Sequence, residues 1–110
     1  MFLEKVAIAL SVMFLCTLVH AVFMMAGNQA VSWRLTKIGP ARRPFRRVVL
    51  IWLIIMWMFA GICVEAGIWA FVYLLDPSIT SIHDAQSAFY FSMVTYTTLG
   101  YGDIVLTGNW

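Results

Sequence analysis

Two long apolar runs, separated by a short basic stretch and followed by a mixed polar tail, set the pattern of this chain. Residues 6–27 carry no charge and are interrupted only by His20 and a few hydroxyls. As a helix this run is about 30 Å long, one hydrocarbon thickness. Residues 48–75 form a longer run whose single charge is Glu65. Backbone in lipid must satisfy its own hydrogen bonds, so both runs predict spanning helices. The first run does not read as a cleaved signal. Glu4 and Lys5 leave its flank without net positive charge, and its apolar stretch exceeds the roughly 7–15 residues of a signal core. Beyond residue 75 the pattern changes. Asp76-Pro77-Ser78 is a turn signal, and Ser81 with Asp84 fits a capping box that opens a helix. Residues 85–96 continue it to about 12–14 residues, too short to span a bilayer but suited to a re-entrant helix.

Composition makes lipid the solvent. The 110 residues are 63% hydrophobic and 11% charged, with mean hydropathy +0.89, against about 25% charged residues in a soluble domain. A net charge of +2 is too small to argue for nucleic acid. Six of the seven basic residues (Arg34, Lys37, Arg42, Arg43, Arg46 and Arg47) lie between the apolar runs. A short loop this basic is retained in the cytoplasm, which puts the N-terminus and residues 76–110 outside. The expected division is therefore a first transmembrane helix over 1–27, a basic cytoplasmic loop over 28–47, and a second transmembrane helix over 48–75. An extracellular segment follows over 76–110. Val31, Leu35 and Ile38 share a helical face, so the first helix is expected to continue along the surface until Gly39-Pro40, with Pro44 holding the turn open. Trp33 and Trp52 fit an inner aromatic belt, Trp69 and Tyr73 an outer one.

Within the second run Ala60, Cys63, Gly67 and Ala70 form a small-residue seam for close helix approach, with Glu65 nearly opposite. Glu65 is the one charge deep in a span. It reads either as a carboxyl hydrogen-bonded to a neighbouring helix or as a brace for the short helix. His20 is not expected to be its partner, because it falls in the inner half of the first helix, roughly 10 Å away in depth. Cys16 and His20 share a face but are too few for a metal site, and Cys16 and Cys63 read as packing residues. His83 is expected in the exposed first turn of the short helix. Asp76, Asp84 and Asp103 would all face outside and attract cations.

The densest chemistry is Thr97-Thr98-Leu99-Gly100-Tyr101-Gly102-Asp103. Glycines at 100 and 102 permit backbone angles closed to other residues, so successive carbonyls can turn to one side. Stacked carbonyl oxygens then replace the water an ion must shed. Five residues reach at most ~17 Å, enough for several ions in file. One chain supplies one wall, so closure requires rotational symmetry.

Thr98-Leu99-Gly100-Tyr101-Gly102-Asp103 resembles the signature filter of the potassium channel family, usually with Val where Leu99 stands. The stretch 88–96 is similar to that family's pore helix, and the whole chain resembles small bacterial members with one extra helix before the pore. The resemblance implies an all-α membrane protein: two transmembrane helices, a re-entrant pore helix and a selectivity-filter loop. It implies a homotetramer in the plasma (inner) membrane, in contact with lipid, passing potassium passively without enzymatic activity or cofactor. Carbonyls of Thr98, Leu99, Gly100 and Tyr101, with the Thr98 hydroxyl and the conformational freedom of Gly102, would form the ion sites. Tyr90 falls where many members place a Trp that hydrogen-bonds the residue now Asp103. Val94 replaces a filter-bracing carboxylate of some members, leaving Glu65 as the candidate brace. The family's inner helix follows its filter, whereas this sequence ends at Trp110, so a fragment is expected. Two alternatives stand beside the channel: a potassium-transporter-type subunit, and a non-conducting membrane fragment.

Overall fold

Among the described residues three helices follow one another: α1 (Phe2–Ile38), α2 (Pro44–Leu75) and α3 (Ala85–Tyr96). A computed structural model describes residues 2–38 and 44–107, so the expectations placed on Gly39, Pro40, Arg42 and Arg43 lie outside the described residues. No proline falls inside either helix beyond the first position, so nothing stops α1 and α2 from reaching 37 and 32 residues. The loop expected over 28–47 is correspondingly smaller. Its first eleven residues continue α1 and its last four open α2. Pro44 does not hold a turn open but starts α2, where its missing N–H leaves no helical bond unmade.

Both long helices are apolar enough to cross a membrane, and only 11% of the most apolar window of each is buried. A core helix of a soluble protein would be mostly covered. The protomer exposes 8208 Å², against about 6,200 Å² for a compact soluble protein of 12.5 kDa. Its radius of gyration is 18.3 Å rather than about 13 Å. This is an open rod of apolar surface.

Burial on α2 concentrates in the half nearest its C-terminus. Gly61, Glu65, Ala66, Ala70 and Tyr73 are buried there, while residues 44–57 are exposed except for half-buried Leu50. The covered positions of α1 are Lys5, Ala9, Val12, Cys16, Val19, His20, Phe23, Gly27 and Val31. Apart from the adjacent pair Val19 and His20, these recur at steps of three and four, one stripe of a helix. Phe23 lies on Gly61 and Trp57 on Gly27. The two rings are 5.1 Å apart, and the Trp57 indole donates to the Phe23 carbonyl at 2.9 Å.

On the other side of α2, Ala70 and Tyr73 join Ile79, Ile82 and Ala88 in a small core, flanked by Trp69, Phe91, Ile104 and Leu106. Two expectations change here. Tyr73 is buried and meets Phe91 edge to face at 5.4 Å, so Trp69 and Tyr73 serve the α2–α3 contact rather than an interfacial belt. Of the expected seam only Ala70 is buried, and open space surrounds Gly67. The small residues that permit close approach are instead Gly61, Ala66, Ala70 and Ala88.

Candidate functional site

The short helix α3 is set by its ends. Asp84, extended at φ −132 and ψ 155, is its N-cap. The Asp84 carboxylate accepts from the Ser87 amide at 3.0 Å and the Ser87 hydroxyl at 2.7 Å. The cap is therefore Asp84, not Ser81, because the helix starts at Ala85 and places Asp84 within reach of the free amides of its first turn. Ser81 is released to accept from the Thr107 amide at 3.3 Å, and exposed His83 precedes the helix rather than sitting in its first turn. The Ser87 hydrogen bonds hold the Asp84 carboxyl below its ordinary value.

At the other end, the chain folds its own donors back onto the last carbonyls. Thr97 donates its amide (3.0 Å) and hydroxyl (2.7 Å) to Met93 O. The Thr98 amide reaches Thr95 O at 3.0 Å and the Gly100 amide reaches Val94 O at 3.3 Å. The segment from Thr97 onward is thus rooted in α3.

Its backbone alternates in handedness. Thr98, Gly100 and Gly102 have φ of 60°, 52° and 74°, while the intervening Leu99 and Tyr101 keep negative φ. Alternation of this kind permits successive backbone groups to turn toward one edge of the ribbon. Thr98 takes a left-handed φ with a β-branched side chain, a conformation worth about 1–3 kcal/mol of strain. Residues 95–103 are exposed throughout, including the apolar side chains of Leu99 and Tyr101.

Two side-chain hydrogen bonds flank this ribbon. The Tyr90 hydroxyl donates to Asp103 Oδ2 at 2.8 Å, and that accepting carboxylate raises the Tyr90 phenol above its ordinary value. The Tyr96 hydroxyl donates to Glu65 Oε2 at 2.5 Å. Beyond the ribbon the chain is clipped back to the loop after α2. The Thr80 amide donates to Thr107 O at 3.2 Å and the two threonine hydroxyls lie 3.2 Å apart.

The structure thus places Thr98, Leu99, Gly100, Tyr101 and Gly102 on one ribbon and puts Tyr90 and Asp103 in contact. Glu65 touches the helix before the ribbon, not the ribbon itself. One expectation is overturned: His20 is a partner of Glu65, its Nδ1 lying 3.0 Å from Oε1. Residues 48–75 would span about 42 Å, longer than one hydrocarbon thickness, so the sequence left the depth of Glu65 open by several residues. Tyr96 is the functional candidate that sequence reasoning missed. Its signal was a hydroxyl-bearing aromatic at the last helical position before the threonines.

Residues 61–110 match the family model described as an ion channel. Comparison with curated proteins and with solved structures returns no match. With two helices long and apolar enough to cross a bilayer, the chain has the make-up of a membrane protein, and its residues 61–110 are similar to an ion-channel pore-domain family.

Proposed function

We propose that this chain supplies one of four walls of a potassium-selective pore in a plasma membrane, with residues 98–102 as its selectivity filter. The observation that carries this reading is the alternating sign of φ at Thr98, Gly100 and Gly102. An extended strand would point its carbonyls alternately to opposite sides and leave half of them useless to an ion. An alternating ribbon lines them up. Carbonyls of Thr98, Leu99, Gly100 and Tyr101, with the Thr98 hydroxyl, then offer a file of oxygens in place of the hydration shell. A single ribbon binds no ion, and its exposed carbonyls call for three symmetry mates.

Rigidity matters as much as chemistry, since discrimination between two monovalent cations depends on where the oxygens are held. Two hydrogen bonds serve it in this reading: Tyr90 to Asp103 above the ribbon, and Tyr96 to Glu65 below it. The basic residues around 34–47 stay cytoplasmic, so the ribbon opens outward, where Asp76, Asp84 and Asp103 concentrate cations. Potassium is the cargo.

The test is reversal potential in the reconstituted full-length protein. It is expected to follow the potassium gradient and to ignore sodium. Gly100→Ala is expected to abolish that selectivity, because a Cβ is strained at φ +52 even though open space surrounds it. Equal sodium and potassium permeability in the unmutated protein would remove the assignment.

A further inference from the structure

We propose that His20, on the helix farthest from the ribbon, is a positioning residue for the filter and acts through Glu65 and Tyr96. The inference rests on reading residues 98–102 as the filter. Three side chains from three helices meet end to end: His20 Nδ1 to Glu65 Oε1 at 3.0 Å, then Glu65 Oε2 to the Tyr96 hydroxyl at 2.5 Å. Glu65 is only 3% exposed, so each of its oxygens has a protein partner and little else. Tyr96 is the last residue of α3, next to the threonine that caps the helix and two residues before the first left-handed position.

The topology makes this carboxylate the bridge. Among the described residues the helix backbones pack as α1 on α2 and α2 on α3. Glu65 is where a side chain of each outer helix touches the same group. A carboxylate has a preferred direction for each donor. With the His20 proton on Nδ1, Oε1 is fixed, the carboxylate plane is fixed with it, and Oε2 is presented to Tyr96 at one angle. Without His20, Oε1 faces an apolar span unpaired, and Glu65 must rotate or share the Tyr96 hydroxyl. Either change moves the ring at the base of the ribbon.

Three variants of the full-length protein test this, each checked for unchanged helicity and oligomer size. His20→Asn keeps a donor at the place of Nδ1, His20→Leu removes it at similar bulk, and Tyr96→Phe removes only the hydroxyl. His20→Leu and Tyr96→Phe are each expected to lower the potassium-to-sodium permeability ratio about tenfold, the loss of a hydrogen bond to a charged group. The double variant is expected to be no worse than either single one, and His20→Asn to stay within about twofold of the unmutated protein. A Tyr96→Phe ratio equal to the unmutated one overturns the proposal, as does strict additivity in the double variant. His20→Asn as impaired as His20→Leu also overturns it, leaving His20 a packing residue. Absence of selective flux in the unmutated protein would fail the filter reading instead.

Discussion

Gly27 and Gly61 carry no side chain where the α1–α2 crossing has no room for one. A Cβ on Gly27 would sit 3.0 Å from Trp57 Cδ1, and one on Gly61 would sit 3.2 Å from Phe23 Cδ1. Phe23 has freedom to lean away. Trp57 is pinned by its bond to the Phe23 carbonyl, so it yields only by breaking that bond. Gly27→Ala is therefore expected to cost about 1–3 kcal/mol of stability, and Gly61→Ala less, read as melting temperature in detergent micelles. Ser92 points the other way. Its hydroxyl is, among the described residues, the buried side-chain polar atom without a hydrogen-bond partner. Ser92→Ala is expected to be neutral or to stabilise by about 1 kcal/mol, because an unsatisfied group is removed without opening a large void. A clear drop in melting temperature would mean that the hydroxyl has a partner in the assembled protein.

Helix α3 depends on its cap more than on its length, since 12 residues are marginal without tertiary support. The Asp84 carboxyl is held below its ordinary 3.8 by Ser87. A lowered folded value means that the cap's stabilisation is full above 3.8 and fades as pH falls through the lowered value. Asp84→Asn is expected to keep most of the helix at neutral pH and to flatten this acid loss, measured by helicity against pH. Steeper acid loss in the Asn variant would contradict the assignment of the cap. The existence of all three helices was legible in the sequence, because apolar runs of 22 and 28 residues and a turn–cap–helix signal have few other readings. The ribbon was legible too, from two glycines set one apart. The pairing of α1 with α2 was not. A helix apolar on every side does not mark the stripe that touches its neighbour, so nothing distinguished His20 and Phe23 from the residues beside them. For the same reason the small-residue seam was placed one position away from the side of α2 that is covered.

At the scale of the whole molecule, orientation is the decisive question. Against a background without Cys16 and Cys63, His83→Cys is expected to react with a membrane-impermeant thiol reagent in intact cells, and Thr36→Cys to resist it. Both positions are exposed, so reactivity reports sidedness rather than burial. The opposite pattern would put the ribbon on the cytoplasmic side and remove the pore reading. The length of α1 bears on how such a protein sits in its membrane. At 37 residues the helix measures about 55 Å, against a hydrocarbon layer of about 30 Å. Its N-terminal end is moored by Lys5, whose Nζ donates to Ser78 Oγ at 2.8 Å, and its middle rests on Glu65 and Trp57. The remaining turns, with Arg34 and Lys37, extend beyond that layer as an unbroken beam, on the cytoplasmic side in the proposed orientation. A beam without a joint cannot adjust to its surroundings piecemeal. When the bilayer thins, the mismatch is met by tilting the helix as a whole, and the tilt is delivered at the same moment to the mooring at Ser78 and to the carboxylate at Glu65.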